Sequence, residues 1–162
     1  MTLTDFENRY RLKDCCLFSG HRAVADRAGL KARISAEVEN LINRGVTVYL
    51  SGGALGFDTL AAETVLEKKG KYPFVKLFMV LPCRDQDIKW SASDRAHYEE
   101  ILKRADLVHY IGEAYDEGCM LRRNDFMVER SGTCIAYLRQ SKGGTFYTVS
   151  YAKRMGRELI LL

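Results

Sequence analysis

Apolar positions along the chain alternate between two rhythms, short continuous runs and longer stretches with helical spacing. Cys15 to Ser19 is the first short run and leads into Ser19-Gly20. Leu30, Ile34, Val38, Leu41 and Ile42 then recur at the spacing that places side chains on one helical face, and Arg44-Gly45 supplies a stop. Val46 to Leu50 is β-branched and aromatic, which predicts a strand. Phe57, Leu60, Ala61, Thr64 and Val65 mark the next helix, with its end expected near Lys69-Gly70. Val75 to Leu81 is a third strand, followed by Pro82. Ser93 is the expected cap of a helix carrying Tyr98, Ile101, Leu102 and Ala105. Leu107 to Ile111 and Thr133 to Leu138 are strands on either side of a helix marked by Met120, Asn124, Met127 and Val128. Gly143-Gly144-Thr145 opens a last helix through about Met155, and Glu158 to Leu162 is a final short strand.

Strands separated by helices of this length build βαβ units, so the expected fold is α/β: a Rossmann-like, doubly wound, mainly parallel sheet with helices on both faces. Short connections and the absence of a Pro- or Ser-rich linker predict a single domain over residues 1–162. Hydrophobic content of 47% and charged content of 28% suit a soluble domain of that length, and exclude a disordered or low-complexity chain. The formal net charge of +4 fits an anionic small-molecule ligand but is too mild to argue alone for nucleic acid or a membrane surface. The opening, Met1 to Glu7, lacks a basic region followed by an apolar run, and no apolar stretch approaches a membrane span, so the chain reads as cytoplasmic. The cysteines (Cys15, Cys16, Cys83, Cys119 and Cys134) form no C-x-x-C pair, which argues against a zinc site or disulfide framework. Cys83 and Cys119 fall in expected loops and are the two with scope for reactivity, although inert burial is the favoured reading for all.

Ligands of open parallel sheets bind beyond the carboxyl ends of the strands, and the distinctive residues collect there. The first strand runs into Gly20, His21 and Arg22. The second runs into Ser51, Gly52, Gly53, Ala54, Leu55 and Gly56, with Asp58 in the first turn of the following helix. Glycines permit a tight turn, and the first N–H groups of that helix would make an anion site. A plain strand-to-helix turn capped by Asp58 is the alternative, since the loop fits neither the Walker nor the dinucleotide fingerprint. Arg22 could clamp a phosphate or be a solvated charge near Arg27 and Lys31. Gln86 and Trp90 follow the third strand, and the indole could stack on a base or roof the core. Arg123 and Asn124 could point into a cleft or lie on a basic surface turn. Gly143, Gly144 and Thr145 repeat the glycine-then-helix arrangement. His97 and His109 are scattered and give no metal motif. If chemistry is done on a bound nucleotide, the available acids and bases are Asp58, Glu63, His21 and Asp85, with Glu63 expected beside the site, more than a turn inside its helix.

Taken together, these segments resemble the YpsA-like branch of the SLOG superfamily, which is related to the Smf/DprA proteins and the LOG phosphoribohydrolases. The resemblance runs from about Ser19 to Ala152, through Ser19-Gly20-His21-Arg22, Ser51 to Asp58 with Ala61-Ala62-Glu63, Leu81-Pro82 with Gln86 and Trp90, Arg123-Asn124 with Met127-Val128, and Gly143-Gly144-Thr145 with Tyr151-Ala152. It implies a pocket for a nucleotide, a dinucleotide or an ADP-ribose-type ligand, and a sensing role more readily than a defined reaction. The LOG enzymes carry Pro-Gly-Gly-x-Gly-Thr-x-x-Glu, whereas here Phe57 replaces the threonine and Leu60 stands where the glutamate would be, which speaks against their hydrolysis. The loop is closer to that of the Smf/DprA proteins, which bind single-stranded DNA, so nucleic acid stays open as a secondary partner, as does a homo-oligomer.

Overall fold

The computed structural model describes residues 1–162. A short helix α1 (Leu3–Arg9) and one 3-10 turn (Leu12–Asp14) precede the sheet. From there strands and helices alternate: β1 (Cys15–Gly20), α2 (Arg27–Asn43), β2 (Val48–Ser51), α3 (Phe57–Lys71), β3 (Lys76–Leu81), α4 (Ala92–Arg104), β4 (Leu107–Tyr110), α5 (Cys119–Glu129), β5 (Thr133–Tyr137), α6 (Gly144–Arg154) and β6 (Glu158–Leu161). The strands form one sheet in the order β4-β3-β2-β1-β5-β6, and every neighbouring pair is parallel. The chain walks outward from β1 to β4, then crosses back to β5 and continues the other way. The reversal falls between β1 and β5, where a doubly wound sheet opens its crevice.

The strand side chains alternate between two cores, as the pleat requires. Cys16, Phe18, Tyr49, Leu77, Met79, Leu81, Ile135 and Tyr137 pack with α2, α3 and α4 in the larger cluster. Cys15, Leu17, Val48, Leu50, Phe78, Val80, Cys134 and Ala136 face α1, α5 and α6 in the smaller one. Burial on both faces is why these strands read as continuous apolar runs.

Three local readings change. The helix after β2 passes through Gly70 and ends at the C-cap Tyr72, because Lys68 to Lys71 keep the helical hydrogen-bond ladder. Ser91, not Ser93, caps α4, its side chain accepting from the Asp94 N–H. The N-terminal helix is absent from the sequence reading: Thr2 and Asp5 form a reciprocal capping box, and Phe6 is its single buried anchor, with its ring edge-on to Phe78 at 4.9 Å. All the cysteines are buried and unpaired, Cys83 and Cys119 included. No helix is long and apolar enough to cross a membrane.

Candidate functional site

The glycine-rich turn after β2 is built around a buried guanidinium. Arg123 is 5% exposed, and its Nη1 donates to the Gly52 carbonyl at 2.6 Å while Nε donates to Asn124 Oδ1 at 2.8 Å. A Cβ on Gly52 would lie 2.1 Å from that Nη1, so the glycine exists to let Arg123 reach the backbone. Ser51, fully buried, donates to the Asp58 carbonyl and accepts the Gly53 N–H at 3.3 Å. Gly56, at φ +81°, lies so close to the Arg22 carbonyl that an added Cβ would sit 2.1 Å away, which ties the loop after β1 to the start of α3.

These contacts change the expected source of anion-binding amides. At the start of α3, Phe57 N–H is spent on the His21 carbonyl and Thr59 N–H on Ala54, leaving Asp58 N–H unbonded. The first turn of α6 keeps its amides: Tyr147 N–H bonds the Gly143 carbonyl, and Gly144, Thr145 and Phe146 N–H bond no protein group. Of the two glycine turns, the one after β5 presents the freer helix N-terminus.

A hollow of about 320 Å³ opens at the reversal between β1 and β5. Ser19 and Gly20 line it from β1, His21 and Arg22 from the loop that follows; Ala54 from the β2 loop and Asp58 from α3; Met120, Arg123, Asn124 and Met127 from α5; Gly144 and Thr145 from α6. Because Asn124 Oδ1 accepts from Arg123, its amide nitrogen faces the other way, toward Gly144. Arg123 Nη2 bonds no protein group, and Arg22 is exposed with no ion pair or hydrogen bond. Asp58 is the one carboxylate among these donors; its Oδ2 accepts the Ala54 N–H at 3.3 Å, and burial, only partly offset by Arg123, pushes its carboxyl up to about 6. His21 is held below the usual histidine value by burial and then by Arg139, and its Nε2 accepts the Arg139 backbone N–H at 2.8 Å.

Gln86 and Trp90 lie elsewhere. They line a second hollow of about 530 Å³ with Leu55, Pro82, Cys83, Asp85, Ile88, Lys89 and Tyr115, and the two hollows share Arg22 and Met120. Trp90 packs edge-on against Tyr98 at 5.0 Å, so it both roofs the core and faces the hollow. Gly52, Gly53 and Gly143 line neither hollow: Gly53 faces Leu81, Met79 and Tyr98, and Gly143 is the N-cap of α6. Glu63 is outside, held by Arg27 at 3.5 Å, Lys31 at 3.8 Å and His97. Met120, Met127, Leu55 and Tyr115 are lining residues that the sequence reading did not count among the ligand-binding candidates. Met120 and Met127 stand three before and four after Arg123, a helical spacing that could have found them.

The sheet order and the site at its reversal define a Rossmann-like α/β domain, and the chain belongs to the YspA SLOG family, whose model matches residues 9–158. A UPF0398 protein of Halalkalibacterium halodurans is 30% identical over 149 residues, 90% of this chain and 77% of the relative. The uncharacterized SPbeta prophage-derived protein YoqJ of Bacillus subtilis is 30% identical over 145 residues, 80% of this chain and 85% of the relative. Among solved structures, DNA processing protein A from Helicobacter pylori, described for its single-stranded DNA binding mode, aligns with TM-score 0.66 at 22% identity, over 91% of this chain and 64% of that one. DprA from Streptococcus pneumoniae aligns with TM-score 0.67 at 20% identity, over 93% of this chain and 50% of that one. The chain therefore spans less than two thirds of either structure, and the likeness is one of fold.

Proposed function

We propose that the domain binds a nucleotide-type, phosphate-bearing ligand in the hollow between β1 and β5, as a sensing module. The observation that carries this reading is the convergence of unspent donors on one small space: the free Arg22 guanidinium, Arg123 Nη2, the Asn124 amide nitrogen and the opening amides of α6. Guanidinium groups and a helix N-terminus are the usual partners of phosphate. Asp58 is suited to accept from a sugar hydroxyl. A thermal-shift series with nucleotides, dinucleotides and ADP-ribose tests the proposal, since a ligand at a hundredfold excess over its Kd stabilises by about 2.7 kcal/mol. Arg22→Ala should abolish the shift; no stabilisation by any phosphate-bearing probe removes the reading.

A second reading has one specific support. Asp58, pushed up to about 6 inside the hollow, has the titration range of a general acid or base and suits cleavage of an N-glycosidic bond in the same ligand. Free base released from a nucleotide, and lost in Asp58→Asn, would favour an enzyme over a sensor. Single-stranded DNA, the partner named for the Helicobacter pylori protein, would instead give binding that weakens steeply with salt.

A further inference from the structure

The hollow around Trp90 differs in chemistry from the anion site it adjoins. Its lining is mainly apolar, from Leu55, Pro82, Ile88, Trp90, Tyr115 and Met120. Two loops build it and are fastened to each other: Tyr115 N–H donates to Asp85 Oδ1 at 3.1 Å, and Arg84 pairs with Glu113 at 2.7 Å. Ile88 and Tyr115 are nevertheless 62% and 69% exposed, large apolar side chains at the mouth of a polar crevice. Such a lining takes a flat, weakly polar group. Arg22 and Met120 line both hollows, so the two are neighbours and one ligand can place its phosphate in the first and a flat group in the second.

Gln86 narrows the choice. Its Nε2 lies 3.4 Å from the Gly52 carbonyl and 3.1 Å from the Tyr98 hydroxyl. A carbonyl can only accept, so the nitrogen must face Gly52 and the oxygen must face away. That oxygen, Oε1, is buried and meets no donor. A buried orphan acceptor is costly, so the Gln86 side chain gains by turning that oxygen out to meet a ligand N–H in the hollow the residue lines.

From this we infer that the hollow around Trp90 is a nucleobase subsite, in which the indole stacks on the ring and Gln86 Oε1 selects bases that present an amine. The inference rests on the nucleotide reading above. A purine with an exocyclic amine is preferred over unsubstituted purine, which has no N–H to offer once its N9 carries the sugar.

Equilibrium binding of ribose 5-phosphate, adenosine 5′-monophosphate and purine riboside 5′-monophosphate to the full chain tests it. The adenine nucleotide should bind at least tenfold more tightly than ribose 5-phosphate and severalfold more tightly than the unsubstituted purine nucleotide. Trp90→Leu, which keeps apolar bulk against Tyr98 but removes the flat face, should bring the adenine nucleotide to the level of ribose 5-phosphate and leave the latter unchanged. Gln86→Met should erase the preference between the two purines. If ribose 5-phosphate binds but the base adds nothing, or Trp90→Leu leaves the adenine nucleotide unaffected, the subsite is refuted and the phosphate site stands. If all three probes fail to bind, the nucleotide reading itself falls.

Discussion

Replacing Asp58 by asparagine separates the two forces acting on the most perturbed carboxylate of the crevice. Burial raises its pKa and Arg123 lowers it, and the balance is a rise from 3.8 to about 6. Burial thus outweighs the guanidinium in setting that balance. Between these two values the folded chain holds a proton that the unfolded chain has released. Stability from this group is therefore fully present below about pH 4 and is lost as pH rises through 6. A rise of that size is worth about 3 kcal/mol. Asparagine has the shape of the neutral acid, and its carbonyl can still accept the Ala54 N–H. The variant should match the parent near pH 4 and exceed it by up to about 3 kcal/mol at pH 7.5, or roughly 6–12 °C in Tm for a domain of this size. Urea denaturation of both proteins from pH 4.5 to 8 reads the difference directly. Parallel curves, or an asparagine variant less stable at neutral pH, would refute the reasoning and mean that the Arg123 attraction outweighs burial.

The other expectations concern the surrounding frame. Gly56→Ala should cost at least about 2–4 kcal/mol, since it combines positive φ with a collision against the Arg22 carbonyl; an unchanged urea midpoint would contradict this. Burial pushes the Cys83 thiol up to about 12, and the other thiols are equally covered, so a colourimetric thiol reagent should react in the native protein only over hours and with all five groups after denaturation. Fast native reaction of even one thiol would show an opening absent from this structure. His21 should titrate below 6.5 by NMR, because burial and Arg139 disfavour its charge, and Arg139→Gln should move it upward; a titration at or above 6.5 in the parent would overturn that account.

The sheet, its helices and the gathering of Gly20, His21, Arg22, Arg123 and Gly144 around one hollow were legible because each rests on spacing that the chain prints directly. Leu30 to Ile42 shows a helical stripe, and the glycine turns fall at strand ends. What was not legible depends on tertiary partners. Nothing local says that Gly52 makes room for Arg123, since the two lie 71 positions apart and meet only after α5 folds under the sheet. The same holds for the division of labour between the glycine turns. Both look like anion cradles, yet two of the opening amides of α3 are consumed by His21 and Ala54, which approach only in the fold. Ser91 and Ser93 are equivalent caps on pattern alone; the Asp94 N–H decides between them. The first helix escapes a reading by pattern although Leu3, Phe6 and Tyr10 stand at helical spacing, because so short a stripe with one fully buried member is a weak signal.

That first helix has a practical consequence for anyone who defines this domain by its family limits. The match begins at residue 9, whereas Phe6 is 2% exposed and closes the underside of the sheet against Phe78. Cutting an expression fragment at the shared boundary would pull a plug from the floor of the molecule and leave an aromatic hole in contact with water. A fragment meant to report on the crevice should start no later than Thr2, whose side chain begins the helix that carries the plug.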